Sequence, residues 1–359
     1  MGCYKPNIRL ADYNNINPIT GCSTTYKFIN ANGDQIKRYH DGTINYEWYE
    51  EQNKIIKENG FEYQLIPCGK CLGCKMQKQK EWAIRSVLEA DNWEENYFLT
   101  LTYDDEHKPW DDYFINQETG EVIEDDGTWN GYLDQRDMQL FFKRLRSTWQ
   151  RRYNHEGIRY FYCGEYGANE RPHYHAIIFN LPIDPRTLKI YKIDKASGKM
   201  LYTSDEIEKI WGNGFVVIEE FDYNAAAYVA GYVQKKQSSC RDYEYYAQKG
   251  QTPEYVRMSQ GIGKEYLLKH MDIYDNDEII TKTGRMKVVR AKIPRYYDNI
   301  VKELENIDIE MLKSKRKENA QNQVKKQMEK TDLVRSEYLD QERRIAEEKG
   351  KAYAKRDKV

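Results

Sequence analysis

The sequence predicts an α+β fold with a central, mainly antiparallel sheet flanked by helices. The prediction rests on short runs of β-branched and aromatic residues, on segments with apolar residues at helical spacing, and on a turn-rich connection between two consecutive strands. The predicted order is strand, helix, three strands and helix, which is typical of this class. At 359 residues, the chain is long enough for one large domain or two ordinary ones.

The helices and strands are predicted from the spacing of apolar residues along the chain. Asp134 is expected to cap a helix in which apolar residues recur every three or four positions from Met138 to Trp149. Strand runs are short, aromatic and β-branched. The predicted elements are helices at 76–92, 134–153 and 225–236, and strands at 97–103, 158–163, 173–180 and 215–221.

The chain divides into four predicted segments. A Cys-rich region at 1–75 precedes a core at 76–240, whose C-terminal part continues over 241–300. The last segment, 301–359, is rich in charged residues and is expected to form a solvated helix or a frayed tail. Residues 104–126 are expected to form an acidic loop.

The composition excludes several classes of protein. Hydrophobic residues make up 40% of the chain, which is enough for a packed core, yet no apolar run approaches the ~20 residues of a membrane span. The N-terminus has no apolar signal-peptide region, so secretion is not expected. A net charge of −2 argues against non-specific coating of nucleic acid but allows a local site. The 31 tyrosines either suit stacking on bases or reflect compositional bias.

Two histidines, His173 and His175, alternate along an apolar predicted strand, so both lie on the same face. Two adjacent imidazoles form half of a divalent-metal site, although two surface histidines would give the same pattern. If the two predicted strands pair as a hairpin, Glu165 returns beside them and supplies the carboxylate that Mg²⁺ or Mn²⁺ prefers. The alternative is that Glu165 supports Arg171 or a backbone amide in the turn.

Two tyrosines, Tyr228 and Tyr232, lie one turn apart on one face of the predicted helix, and Lys235 and Lys236 follow within a further turn. A phenol is a poor nucleophile until a cation or a base stabilises the phenolate. The tyrosines are therefore either a packing pair or, beside a metal, a pair of nucleophiles assisted by a lysine. Together with the histidines, they favour phosphoryl transfer, in which the metal polarises a phosphate and a tyrosine attacks it.

Three cysteines, Cys68, Cys71 and Cys74, form a C-x2-C-x2-C cluster ahead of the first predicted helix. Thiolates this close indicate zinc or an iron–sulfur cluster in a reducing compartment, and three reduced buried thiols are the alternative. Zinc takes four ligands, and Cys3 is the expected fourth, with Cys22 as the second choice. We expect a structural, zinc-knuckle-like role, because a region short of apolar core gains folding energy from the ion.

These residues resemble a known family. Segment 172–179 resembles the His-hydrophobe-His motif of HUH endonucleases, and 98–103 resembles their first motif. Segment 228–236 resembles the paired-tyrosine motif of rolling-circle initiators of small single-stranded DNA phages, although Gly231 stands where relatives often carry a basic residue. Further segments resemble replication initiators of the gokushovirus branch of the Microviridae, namely Cys3 with Pro6, 67–74, 81–85, 163–167, 261–263 and 294–298. The resemblance covers roughly residues 1–300.

The resemblance implies an HUH endonuclease fold over 76–240 and a tyrosine that nicks the viral strand of replicative-form DNA at its origin. The tyrosine would keep the 5′-phosphate, the free 3′-OH would prime synthesis, and the second tyrosine would cut after one round so that the strand closes into a circle. The implied catalytic ion is Mg²⁺ or Mn²⁺. The implied partners are single-stranded and supercoiled phage DNA and the host helicase and polymerase, in the bacterial cytoplasm and without a membrane.

Two other functions stay open. A relaxase or single-strand transposase of the same HUH class would join donor to target DNA, and a non-catalytic, zinc-stabilised DNA-binding protein would not need the tyrosines. The candidate surface for DNA contact is the basic face of helix 134–153, and the alternative is a solvated face. This face carries Lys143, Arg144, Arg146, Arg151 and Arg152.

Overall fold

The structure, a computed structural model, describes residues 3–4, 6–16, 23–29, 61–116, 119–167, 169–195, 198–232, 240–283, 287–304 and 307–356. The chain divides into two compact units. The larger unit is Lys78–Ile300, and the smaller unit combines Met1–Gln77 with Val301–Val359. Across the described ranges, no helix is both long and apolar enough to cross a bilayer.

The smaller unit begins with a three-stranded antiparallel sheet. Strands β1 (Asn7–Ile16), β2 (Ser23–Ile29) and β3 (Phe61–Ile66) pair in the order β2-β1-β3. Helix α1 (Leu72–Ala90) follows and starts four residues before the predicted position, so that Cys74 lies in its first turn. The residues of α1 from Lys78 onward belong to the larger unit.

The larger unit contains the predicted mixture of strands and helices. Its strands are β4 (Asn96–Tyr103), β5 (Tyr113–Ile115), β6 (Val122–Glu124), β7 (Arg159–Tyr166), β8 (Pro172–Phe179), β9 (Lys189–Ile193), β10 (Met200–Thr203), β11 (Gly214–Glu220), β12 (Tyr255–Met258), β13 (Ile279–Thr283) and β14 (Lys287–Ala291). Its helices after α1 are α2 (Gln135–Tyr153), α3 (Asp205–Trp211), α4 (Tyr223–Gly231), α5 (Cys240–Ala247), α6 (Lys264–Lys269) and α7 (Arg295–Leu304). The residues of α7 from Val301 onward belong to the smaller unit.

The central sheet is antiparallel throughout, which confirms the predicted α+β class. Among the described residues, its strands follow the order β12-β7-β8-β4-β11-β10-β9. Strand β7 extends to Tyr166, beyond the predicted end at 163, because its pairing with β8 continues to Pro172. The turn is therefore shorter than the expected connection, and Glu165 lies inside a strand. The acidic segment 104–126, expected to be a loop, contains the short β5–β6 hairpin.

One face of the central sheet packs against α2 and α3. Helix α2 forms as predicted, because the Asp134 side chain accepts a hydrogen bond from the Arg136 amide and caps its first turn. Its apolar residues pack with the sheet residues Leu99, Leu101 and Tyr174 in one buried cluster. This cluster forms the larger part of the core on that face.

The other face packs against α1 and α4. Ala83 and Val87 of α1 and Ala226 and Val229 of α4 are buried in one cluster. The sheet contributes Phe98, Phe161 and Ile177 to this cluster. Because side chains alternate along a strand, this is also the face of His173 and His175. Helix α4 ends at Gly231, five residues before the predicted end, and 233–239 lie outside the described residues.

The C-terminal segment is helical, as the sequence predicts for 301–359. Helices α8 (Ile309–Met328) and α9 (Arg335–Arg356) belong to the smaller unit. Most of their described side chains are exposed, in line with their charged composition.

Candidate active site

His173, His175 and Glu165 converge on one point of the central sheet. Glu165 pairs directly with His173 across strands β7 and β8, and His175 lies two residues further along β8. The Nε2 atoms of both histidines lie 2.8 Å from Glu165 Oε1. The Glu165 residue is 4% exposed. The three residues therefore offer two imidazole nitrogens and one carboxylate oxygen within the space that a single ion would occupy.

Both imidazoles are oriented by contacts on their far side. The Nδ1–H of His173 donates to the carbonyl oxygen of Arg171 at 3.2 Å. The Nδ1 of His175 lies 3.0 Å from Thr100 Oγ1, and Phe98 stacks on its ring with centroids 5.3 Å apart. The hydrogen bond to a carbonyl fixes the tautomer of His173, so that its Nε2 lone pair is the one presented to a metal, and the contacts with Thr100 and Phe98 orient the His175 ring.

The charges of the cluster also suit a cation. Burial raises the pKa of Glu165, but hydrogen bonds from His173, His175 and Tyr228 outweigh this effect and hold the pKa well below its usual range. Burial lowers the pKa of His173, but the hydrogen bond and charge of Glu165 raise it by more. The carboxylate is thus ionised at neutral pH and suits a cation.

Tyr228 reaches the same point from helix α4. Its hydroxyl donates to Glu165 Oε1 at 2.6 Å, and its ring lies edge-on to His175 with centroids 4.9 Å apart. The Tyr232 hydroxyl lies 3.4 Å from that of Tyr228, so the two phenols lie next to each other. Burial and the Glu165 charge raise the pKa of Tyr228. The phenol is therefore a weak nucleophile until a cation offsets the carboxylate.

Helix α4 is held in place by contacts that the sequence did not indicate. The Gln79 side-chain amide on α1 donates to the Ala227 carbonyl at 2.8 Å. A Cβ at Gly231 would lie 3.2 Å from the same amide, so the glycine leaves room for Gln79 beside the helix. Polar residues are common on helix surfaces, and no local signal marks Gln79 as a contact across 148 positions.

A second acidic residue, Glu254, acts electrostatically on the site and was not predicted from the sequence. Glu254 is 9% exposed, and the Tyr166 amide donates to its Oε1 at 3.4 Å. Its charge contributes to the raised pKa values of His173 and Tyr228. It directly precedes the short strand β12 and belongs to no recognisable motif, so no sequence pattern indicates it.

A row of residues that pair across neighbouring strands runs over the sheet from Glu165 and His173, and we call it the open row. The register aligns His173 with Thr102 on β4, and Thr102 with Phe215 on β11. Residues paired in this way lie on the same face, about 5 Å apart from strand to strand. The Phe215 residue is 63% exposed. The sheet therefore presents a bare aromatic ring roughly 10 Å from His173.

The basic face of α2 does not share this surface, because α2 packs on the opposite face of the sheet. Arg144 donates to the carbonyls of Ile210 and Trp211, and Arg146 donates to that of Ile158. A DNA strand in the candidate site would therefore lie on the other face of the sheet from α2, and the predicted DNA contact of α2 stays a prediction. These two guanidinium groups bind the protein backbone.

Lys235 and Lys236 lie outside the described residues, and so does Cys22. The remaining predicted cysteines meet in the smaller unit. The Sγ atoms of Cys3 and Cys71 are 3.6 Å apart, and those of Cys68 and Cys74 are 4.0 Å apart.

Comparison with known proteins gives one family. The family described as Replication-associated protein ORF2/G2P matches residues 96–237, which include the two histidines, Glu165 and both tyrosines. Replication-associated protein ORF2 of Spiroplasma virus 4 is 34% identical over 266 residues, covering 73% of each chain. Replication-associated protein VP4 of Bdellovibrio phage phiMH2K is 31% identical, covering 65% of this chain and 66% of its own.

A third relative, replication-associated protein ORF4 of Chlamydia phage 1, is 29% identical over 247 residues, covering 68% of this chain and 55% of its own. No solved structure matches the chain significantly.

Proposed function

The chain belongs to the replication-associated protein ORF2/G2P family of phages, and we propose that it initiates replication by nicking one DNA strand with a tyrosine. The reaction depends on Mg²⁺ or Mn²⁺, leaves a 5′-phosphotyrosine link and a free 3′-OH, and later rejoins the strand into a circle. The observation that carries this proposal is the meeting of two imidazoles, a buried carboxylate and a phenol at one oxygen, Glu165 Oε1.

The side chains fit a divalent ion. His173 and His175 present Nε2 atoms whose ring orientation is fixed from behind, and Glu165 adds the oxygen ligand that hard ions prefer. When bound, the ion would neutralise charge on the scissile phosphate and make its phosphorus more electrophilic. The same positive charge would offset the carboxylate that keeps Tyr228 protonated.

The protein residues position the nucleophile. Helix α4 holds the Tyr228 oxygen beside Glu165, and the rings of Phe98 and His175 limit its rotation. As the new oxygen–phosphorus bond forms, the bond from phosphorus to the 3′-oxygen breaks. The proton that the phenol releases balances the proton that the 3′-oxygen gains. Tyr232 lies one turn further along and performs the second cut with the same chemistry.

The DNA strand lies along the open row of the sheet next to the site. Phe215 is exposed at the end of the row that begins at Glu165 and passes through His173 and Thr102. An exposed aromatic ring at this spacing suits stacking on a base close to the scissile phosphate. For a strand in the site, this surface is our candidate for DNA contact.

We further propose that the central sheet is that of an HUH endonuclease. Under this proposal, the partners are single-stranded and supercoiled phage DNA and the host helicase and polymerase, in the host bacterial cytoplasm. A relaxase or transposase of the same class would use the same residues. The relatives, which are named as replication-associated proteins, favour replication over either alternative.

A covalent-adduct assay tests the proposed function. Full-length protein is incubated with end-labelled single-stranded oligonucleotides that tile the genome carrying this gene, with Mn²⁺, Mg²⁺ or EDTA, and run on a denaturing gel. Wild type is compared with the Tyr228→Phe/Tyr232→Phe double variant and with His173→Ala. Tyr153→Phe is the matched control, because Tyr153 is an exposed tyrosine on α2.

A shifted, metal-dependent band is expected for wild type and for Tyr153→Phe, and none for the double variant or His173→Ala. An adduct that survives loss of both tyrosines would refute the assigned nucleophiles. DNA binding without any adduct, on every oligonucleotide and with either metal, would favour the non-catalytic DNA-binding protein.

A further inference from the structure

The four cysteines of the smaller unit form a site separate from the one that carries the proposed function. Cys3, Cys68, Cys71 and Cys74 bring their sulfur atoms within 4.8 Å of one another, and all four are partly buried. We propose that they bind a single zinc ion, rather than an iron–sulfur cluster, and that this ion ties the N-terminal segment to the start of α1.

The distances between the sulfur atoms distinguish a single zinc ion from an iron–sulfur cluster. Tetrahedral zinc with bonds of about 2.3 Å places its sulfur ligands about 3.8 Å apart. The pair Cys3–Cys71 measures 3.6 Å, and the pair Cys68–Cys74 measures 4.0 Å. A cluster of several irons binds its thiolates to different metal atoms and therefore spreads them further apart. The observed spacing leaves room for one ion.

Backbone amides support the thiolate form of the sulfurs. The Tyr4 amide donates to Cys71 Sγ at 3.4 Å, and the Cys68 amide donates to Cys3 Sγ at 3.3 Å. The Cys71 amide donates to Cys68 Sγ at 3.3 Å. Such bonds stabilise the negative charge that four thiolates bring to one zinc ion.

The local backbone explains how one short segment supplies three ligands. Gly69 has a φ of +75°, so the chain turns sharply between Cys68 and Cys71. Cys71 directly precedes α1, and Cys74 lies in the first turn of this helix, three residues after Cys71. The three sulfurs are thus gathered locally, and the fourth comes from a residue 65 positions before Cys68.

The ion would connect three separate segments of the smaller unit. Cys3 precedes β1, Cys68 follows β3, and the other two cysteines lie at the beginning of α1. The ion closes a long loop between Cys3 and Cys68. Removing the ion should therefore lower the free energy of unfolding, because the chain is no longer held together at this point. The role is structural, since four protein ligands leave no open position on zinc.

Metal analysis of the full-length protein, purified under reducing conditions and dialysed against Mg²⁺ buffer, tests the proposal. We expect about one zinc and no iron or sulfide per chain. Cobalt exchanged for zinc should give the strong visible absorption of tetrahedral cobalt thiolate. That absorption distinguishes the cysteine site from the histidine site, and a His173→Ala/His175→Ala variant should keep it.

Cys71→Ser should lose the thiolate absorption and most of the bound zinc, whereas Cys163→Ala should keep both, because Cys163 is a buried residue of the central sheet and is not one of the four ligands. If Cys71→Ser does not fold, the wild-type metal content alone decides. Folded wild-type protein that carries iron and sulfide, or that holds no metal and four reactive thiols at this cluster, would overturn the proposal.

Discussion

The order of the two tyrosines is open to a direct test. The Tyr228 hydroxyl donates to Glu165 Oε1 at 2.6 Å, and the Tyr232 hydroxyl lies 3.4 Å from that of Tyr228. We therefore expect Tyr228 to make the first cut. Tyr228→Phe keeps the ring against His175 and Phe98 and removes only the nucleophilic oxygen.

The size of the effect follows from this geometry. A displacement of about 1 Å in a reacting group can cost about 10²-fold in rate, and the two hydroxyl oxygens are 3.4 Å apart. We expect Tyr228→Phe to slow formation of the first adduct by at least about 10²-fold, which corresponds to about 3 kcal/mol of activation free energy. Tyr232→Phe should change this rate by less than about 3-fold and should abolish formation of the closed circle.

The measurement is a single-turnover time course with excess protein and labelled single-stranded substrate, in which the adduct and the joined circle are quantified separately. Tyr153→Phe serves as the control for a general loss of activity. Equal rates of first adduct formation in the two single variants would refute the assignment, because they would show that either phenol reaches the phosphate equally well.

Three further predictions concern DNA binding and folding. Phe215→Ala should weaken binding of single-stranded DNA by about 5- to 150-fold in fluorescence anisotropy, because stacking contributes about 1–3 kcal/mol per base. Gly250→Ala should lower the free energy of unfolding in urea by about 2–5 kcal/mol, since Gly250 has a φ of +58° and an added Cβ would clash with the Trp129 ring. Arg144→Glu should lower it by about 1–3 kcal/mol through loss of two carbonyl contacts.

Each of these variants has a matched control. Phe215→Tyr keeps an aromatic ring and should bind DNA as wild type does, so weak binding by both would point to a folding defect. Gly127→Ala has a φ of +85° and open space around it, and should cost only the backbone strain of about 1–2 kcal/mol. Arg151 bonds only to a carbonyl of its own helix among the contacts seen, and Arg151→Glu should change stability by about 0.5 kcal/mol or less. A changed salt dependence of DNA binding in Arg144→Glu would contradict the new assignment of the DNA surface.

Local patterns in the sequence were sufficient to predict several helices and strands and the residues that share a face in the candidate site. The alternation of a strand places His173 and His175 on one face whatever surrounds them, and a hairpin returns Glu165 to the same row. The cap at Asp134 and the apolar spacing of α2 likewise depend on neighbours within a few positions. These features were predictable because the side-chain direction in a strand or a helix is set by its own backbone geometry.

Only the tertiary structure decided which elements meet. Tyr228 contacts a residue 63 positions away, and the Gln79 contact with Ala227 spans 148 positions. The face of the sheet that α2 covers, which removes its arginines from the site, depends on how the chain crosses the sheet and on which apolar surfaces bury each other. Periodicity specifies that a helix has an apolar side but carries no information about its partner, so such contacts follow from packing of the whole chain.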